Sequence, residues 1–267
     1  MTATPDTRPF AVVTGASSGI GFELARQFAE HGFDVLAAAE DAGIEAAAAE
    51  IAAAQPAASV RPLRVDLATY DGVEALYGAI AGRPVDALAL NAGRGLGGDF
   101  TRDTDLREEL NIIDVNVTSM VHLAKRVLPG MVARGAGRVL FTSSIASTMP
   151  GTYQAVYNAS KSFVQSFALA LRNELKDTGV TVTALMPGPT DTEFFDRAEM
   201  LDTKVGAGDK DDPALVAKQG FEALMKGKER VVGGGAKTKV MAAAAKVTPD
   251  AVKAEQHRKM AEPGSAS

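Results

Sequence analysis

The sequence predicts an α/β fold: one doubly wound, parallel sheet with helices on both faces. Three observations predict it. Short apolar segments recur along the chain, several without polar alternation, as expected of strands covered on both faces. Helical segments separate them. The first strand-like segment runs into a glycine cluster that opens a helix.

The elements follow in order. Residues 1–9 are polar, lack the apolar stretch of a signal peptide, and read as a short disordered lead-in. "FAVVT" (10–14) is the first strand. A helix follows with Ile20, Leu24 and Phe28 on one face, ending near Gly32. "DVLAAA" (34–39) is the second strand, and the Ala/Glu-rich residues 42–54 are good helix formers. "VRPLRV" (60–65) is the third strand. Pro62 cannot donate to a ladder, which suits a sheet edge. "VDALAL" (85–90), "RVLFTS" (138–143), "VTVTALM" (180–186) and "RVVGG" (230–234) bring the set to about seven strands. Long helices are predicted over 106–134, 155–177 and 213–226. Within 155–177, Phe163, Phe167, Leu171 and Leu175 form a stripe facing either the core or a partner subunit.

No repeat and no boundary interrupts residues 10–235, which read as a single domain. Residues 193–212 fit neither period and read as an insertion after the sixth strand. The stretch from 236 to 267 is Ala/Lys-rich and reads as a solvated helical extension with a frayed end, "EPGSAS".

Bulk properties exclude several classes. With 267 residues and 46% hydrophobic side chains, the chain can bury a sizeable core. Its net charge of −5 offers no basic footprint for nucleic acid. The absence of cysteine removes disulfides, thiolate metal sites and a cysteine nucleophile. His31, His122 and His257 form no spaced metal set, so no metal is expected. No apolar run reaches the ~18 residues of a membrane span. A cytoplasmic protein is expected.

Two short motifs carry chemistry. "TGASSGIG" places Gly15, Gly19 and Gly21 between a predicted strand and a predicted helix. Glycines let the backbone turn sharply and approach a ligand, and the helix N-terminus offers free N–H groups to a pyrophosphate. That context predicts nucleotide binding. "YNASK" (157–161) places Tyr157 and Lys161 four residues apart, hence on one helix face. A cation there would stabilise a phenolate. An amphipathic helix with a solvated lysine gives the same spacing.

"TGASSGIG", "NAG" (91–93), Asn116, Ser144, "YNASK" and "PGPTDT" (187–192), in that order, resemble the classical short-chain dehydrogenase/reductase family. The resemblance spans about residues 10–235. It implies a Rossmann fold and hydride transfer between a nicotinamide and the carbon of a secondary alcohol or ketone. Tyr157 would be the acid–base. Bringing a phenol from ~10 towards 7 takes roughly 4 kcal/mol, which Lys161 is expected to help supply. Lys161 would also hold the nicotinamide ribose. Ser144, which lies 13 residues before Tyr157, would hold the substrate oxygen. Asn116 would distort its helix and join a proton relay through Lys161.

The same resemblance implies a cofactor set. Gly15, Ser17, Ser18, Gly19, Ile20 and Gly21 would form the pyrophosphate loop. Glu40 would lie beside the adenosine ribose, and Asp66 with Leu67 beside the adenine. Asn91, Ala92 and Gly93 would follow the fourth strand, with Asn91 steadying the sheet. Pro187, Gly188, Thr190 and Thr192 would shape the nicotinamide pocket, alongside Tyr157 and Lys161. Arg94 departs from the small or aliphatic residue expected after "NAG" and reads as a surface arginine or an anion contact.

Cofactor preference turns on the end of the second strand. The family's NAD-preferring members usually carry Asp there, and NADP-preferring members a nearby Arg or Lys. Here Ala39 occupies the Asp position, followed by Glu40 and Asp41. A 2′-phosphate ~5 Å from Glu40 would cost about 3 kcal/mol per unit charge at an effective dielectric of ~20. NAD(H) is therefore expected, with Arg64 the possible rescue for NADP(H).

The resemblance also implies a homodimer or homotetramer. It puts a substrate lid over 193–212, mobile without ligand because it contains Gly206 and Gly208. Met149, Pro150, Phe194, Phe195 and Met200 fall in the lid region and suggest an apolar alcohol or carbonyl substrate. The alternatives on the same fold are a dinucleotide-binding regulator without turnover, and dehydration or epimerisation.

Overall fold

The computed structural model describes residues 8–266. The first seven residues of the expected lead-in lie outside the described residues. Arg8 and Pro9 lead directly into the sheet.

The sheet has seven strands: β1 (Phe10–Thr14), β2 (Asp34–Ala39), β3 (Val60–Arg64), β4 (Ala87–Leu90), β5 (Gly137–Thr142), β6 (Val180–Pro187) and β7 (Arg230–Gly233). Their order is β3-β2-β1-β4-β5-β6-β7, and every pairing is parallel. Val12 of β1 faces Leu36 on one side and Leu88 on the other. Strand order reverses between β1 and β4, and a crevice opens there at the carboxyl ends of the strands. β3, with Pro62, is an edge strand as the sequence predicts.

The helices are α1 (Gly19–Glu30), α2 (Gly43–Ala54), α3 (Tyr70–Ala79), α4 (Leu106–Ile113), α5 (Ser119–Arg134), α6 (Ala155–Glu174), α7 (Phe194–Arg197), α8 (Lys204–Ala207), α9 (Pro213–Met225), α10 (Ala236–Ala244) and α11 (Asp250–Ala261). Successive strand residues enter opposite cores. Val12, Leu88 and Phe141 pack with Leu123 and Val164 on one face. Val13, Leu140 and Leu185 pack with Leu24, Phe28 and Phe221 on the other. This explains why the strands read apolar without alternation. Each fully buried Leu or Phe contributes ~1.5–3 kcal/mol.

The structure corrects the sequence reading in four places. The helix predicted over 106–134 is three pieces, because a π-helical turn, Asp114–Thr118, separates α4 from α5. α3 is absent from the sequence reading. Gly72 and Gly78 weaken its pattern, while the Thr69 hydroxyl caps it by accepting from Gly72 N. Residues 193–212 hold α7 and α8, and Phe195, Ala198 and Met200 form a small core there with Ala261. The extension from 236 is not a solvated helix. It folds back as α10 and α11, burying Thr238, Ala242, His257 and Ala261. Its end is tied down as well: Ala266 N donates to the Asp202 carbonyl, and Gly264 N to the Asp202 carboxylate.

Candidate active site

The loop after β1 is shaped by glycine. Gly15 and Gly19 have φ of +66° and +55°, a region disfavoured for residues with a Cβ. A Cβ on Gly21 would lie 1.9 Å from the Gly15 carbonyl oxygen, so the first turn of α1 closes on the loop only because Gly21 has no side chain. Ser18 precedes α1 in extended conformation and makes no side-chain cap. The first amides of α1 are thus left for a ligand, and an anion suits them. Asn91 fixes the loop. Its Nδ2 donates to the Thr14 carbonyl at 3.2 Å, and its Oδ1 accepts from Thr142 Oγ1 at 3.0 Å. One amide thereby ties together the ends of β1, β4 and β5.

α6 presents Tyr157 and Lys161 to the same crevice. The Tyr157 ring is half-buried and its hydroxyl lies beside Ser144. Lys161 is buried, and its Nζ donates to the Thr142 carbonyl at 3.1 Å. Ser144 sits at the end of β5, where its Oγ accepts from Ala146 N at 3.1 Å. Neighbouring Ser143 donates to the Lys161 carbonyl instead.

The electrostatics differ from the sequence reading. Burial pushes the Tyr157 phenol up to about 12, with the Ser144 hydrogen bond pulling weakly the other way. Burial also pushes the Lys161 ammonium down to about 8. The expected lowering of the phenol by Lys161 is not among the influences on it. Both groups leave water, and desolvation penalises both charged forms.

Asn116 lies in the π-helical turn and is fully buried. Its Nδ2 donates to the Arg94 carbonyl and to Ser160 Oγ, both at 2.9 Å, and its Oδ1 accepts from Arg94 N at 2.8 Å. It does not line the cavity. A Cβ on Gly93 would nonetheless meet Lys161 Nζ at 3.1 Å and Asn116 Oδ1 at 3.2 Å, so both groups flank one point. The Arg94 side chain turns away to Asn111 and to Glu108, with which it pairs at 3.0 Å.

All the other sequence-predicted site residues line one continuous cavity of about 670 Å³. Glycine cradle, uncapped helix start and cavity together fit a dinucleotide. At the adenosine end, Ser17 Oγ donates to Asp41 at 2.7 Å, and Arg197 lies 3.8 Å from the same carboxylate. Asp41 and Arg197 are missing from the sequence-predicted set. Arg64 donates from Nε to the Glu40 carbonyl at 3.1 Å and is not among the lining residues. At the nicotinamide end, Thr192 lies over Gly19: a Cβ there would meet Thr192 Cγ2 at 2.7 Å.

Beyond Tyr157 the cavity is roofed by the lid and the extension. Phe194 packs on the Tyr157 ring with centroids 5.2 Å apart. Met149 and Phe195 also line this end, whereas Met200 is buried beneath the lid and Pro150 is exposed. Lys253, His257 and Met260 of α11 reach the cavity, as does Gln154 at the start of α6. Sequence reasoning missed these four. Lys253 and His257 look like ordinary polar positions on a helix, and their partners Thr148 and Thr152 are about a hundred residues away. Among the described residues, no group of three or more potential ligands could hold a metal ion. None of the helices is long and apolar enough to cross a membrane.

The family described as short chain dehydrogenase matches residues 9–200. The sulfoacetaldehyde reductase 2 of Chromohalobacter salexigens is 34% identical over 186 residues, which is 68% of this chain and 73% of that protein. The NADP-dependent 3-hydroxy acid dehydrogenase of Salmonella typhi is 31% identical over 218 residues, 80% of this chain and 86% of that protein. Among solved structures, a short-chain dehydrogenase from Sphingobium yanoikuyae in complex with NADPH has a TM-score of 0.78 at 27% identity, covering 84% of this chain and 87% of that one.

Proposed function

Since this chain belongs to the short chain dehydrogenase family and is an oxidoreductase using a nicotinamide dinucleotide, we propose that it interconverts a secondary alcohol and a ketone. The observation that carries the reading is that Tyr157, Ser144 and Lys161 line the one glycine-cradled cavity, with Lys161 one helical turn from Tyr157 and its Nζ 5.8 Å from the ring centre.

When bound, the dinucleotide gives or takes the hydride. Tyr157 handles the proton on the substrate oxygen. Its phenol, held up to about 12, keeps its proton at neutral pH and is ready to donate it to a ketone oxygen gaining negative charge. Ser144 Oγ holds the same oxygen and steadies that charge. Lys161 orients the cofactor ribose, and its ammonium refills the Tyr157 proton through a relay organised by Asn116. In the reverse direction Tyr157, once deprotonated, accepts the alcohol proton; an oxidised nicotinamide held in this cavity would supply a positive charge that favours the phenolate.

The cofactor reading is NAD(H). Glu40 and Asp41 both line the adenosine end, and a 2′-phosphate placed there meets carboxylates on that wall. The Salmonella relative is named as NADP-dependent, so this preference belongs to this chain's own residues at the end of β2. A homo-oligomer is proposed from an apolar groove on α4 and α6, lined by Phe100, Ile113, Val156 and Phe163. A cytoplasmic location is part of the proposal and is tested by fractionating native cells.

The test is a fluorescence titration with NADH and NADPH, followed by ketone-dependent loss of reduced-nicotinamide absorbance. The chain has no tryptophan, so nicotinamide emission is read on a clean background. NADH is expected to bind more tightly and to be consumed with a ketone. If neither dinucleotide binds, the reading fails.

A further inference from the structure

The substrate end of the cavity holds two buried polar side chains, Gln154 and His257, each with a nitrogen that has no hydrogen-bond partner among the described residues. Gln154 is 7% exposed, and its side-chain amide makes no hydrogen bond among the described residues. One end of that amide, Nε2, is buried without a partner, and the residue lines the cavity. His257 is 8% exposed. Its Nδ1 donates to the Thr152 carbonyl at 2.8 Å, and a carbonyl only accepts, so Nδ1 carries the proton. Burial lowers the pKa of the ring and so favours its neutral form, which keeps a lone pair on Nε2, and the residue lines the same cavity. One residue, Tyr153, separates Gln154 from Thr152, the anchor of His257, so both groups belong to one part of the lining. Tyr153 between them has φ of +66°, a strained value that aims the Thr152 carbonyl at α11 and Gln154 at the cavity.

The cation here, Lys253, is neutralised by a carboxylate and spends two of its three donors. Lys253 Nζ donates to the Thr148 carbonyl and pairs with Asp250, each at 2.7 Å. Around the three, Met149, Phe195, Met241 and Met260 are apolar. Gln256 and Thr248 also line the cavity, but among the buried groups the wall offers one amide, which can donate, and one imidazole nitrogen, which can only accept. A carboxylate would meet that lone pair with another. A hydroxyl matches both, accepting from the amide while donating to the ring.

We propose that the substrate is an uncharged, mostly apolar ketone or alcohol carrying a second hydroxyl away from the reacting carbon, and that Gln154 and His257 bind that hydroxyl. This rests on the proposed function and names its substrate class.

Three methyl ketones of equal chain length test it, ending in a methyl, a hydroxyl or a carboxylate, over several lengths. Turnover and thermal-shift binding are both measured on the NADH-loaded enzyme. At the matching length the hydroxyl ketone is expected to lead in kcat/KM by at least tenfold. Gln154→Leu and His257→Phe should each cut the hydroxyl-over-methyl ratio about tenfold. Gln154→Leu leaves the α11 anchor intact, so a collapse of the His257 variant does not end the test. Equal ratios in wild type and Gln154→Leu, or a wild-type lead for the carboxylate, overturn the proposal. Tighter binding of the hydroxyl ketone without turnover keeps the substrate class and overturns the hydride reading. Turnover without discrimination does the reverse.

Discussion

The Lys161 ammonium lies 5.8 Å from the centre of the Tyr157 ring and spends a hydrogen bond on the Thr142 carbonyl. The helical step brings the two side chains to one face, but burial, rather than the lysine charge, governs the phenol. The phenol therefore keeps its proton at neutral pH until negative charge develops on the oxygen it serves.

Tyr157→Phe removes the proposed proton carrier and keeps the ring that packs on Phe194. Turnover is expected to fall ~10²-fold or more while NADH affinity stays within about twofold. Steady-state kinetics beside a fluorescence titration check this. Retained turnover would end the role assigned to Tyr157.

Stability should depend on pH through this pair. Lys161 titrates at about 8 in the fold against an ordinary 10.5. Between those values the unfolded chain holds a proton that the folded one has lost, so stability rises with pH. Below the folded value the full penalty, ~3 kcal/mol, is present. Tyr157, raised to about 12 from 10, works oppositely: its share is present below the ordinary value and is lost as pH climbs to the folded one. Urea unfolding of wild type should therefore show stability rising from about pH 8 towards about pH 10. Lys161→Met should lack that rise. A flat wild-type profile would refute the lysine shift.

Gly21→Ala places a methyl 1.9 Å from the Gly15 carbonyl. The loop must open, at a cost of ~1–3 kcal/mol. The expected result is a lower urea midpoint together with at least tenfold weaker NADH binding. Unchanged binding would argue against a pyrophosphate on this turn.

Asp41→Ser removes the carboxylate held by Ser17 and approached by Arg197. If the carboxylate excludes a 2′-phosphate, NADPH affinity should gain about tenfold relative to NADH. Parallel titrations of variant and wild type measure the ratio. No change in it would shift the discrimination to Glu40 or Arg64.

Asn116→Ala leaves the Arg94 amide and carbonyl without their side-chain partners inside the fold. A loss of ~1–3 kcal/mol is expected for each buried group left unsatisfied. Thermal unfolding reads the stability, and turnover reads the relay. Full turnover at wild-type stability would remove Asn116 from both.

The sequence by itself determined the sheet, the glycine turn and the order of the motifs. Apolar strands buried on both faces, helical spacing and glycine are local signals, and each leaves its mark within a few residues. Gly15, Gly19, Tyr157 and Lys161 are legible for that reason, because a turn or one helix face suffices to place them, whereas Ser144 is reached only through the family resemblance. Tertiary structure alone decided the rest. The phenol's acidity depends on how many water-excluding neighbours surround it, a property of packing. α3 hides behind two glycines and is fixed by its Thr69 cap and by burying Val73 and Leu76. α11 looked like a solvated helix because its polar face is polar. That face turns inward only because Thr148 and Thr152, about a hundred residues earlier, offer it carbonyls. Contacts at such separations carry no local pattern, and here they form one wall of the cavity.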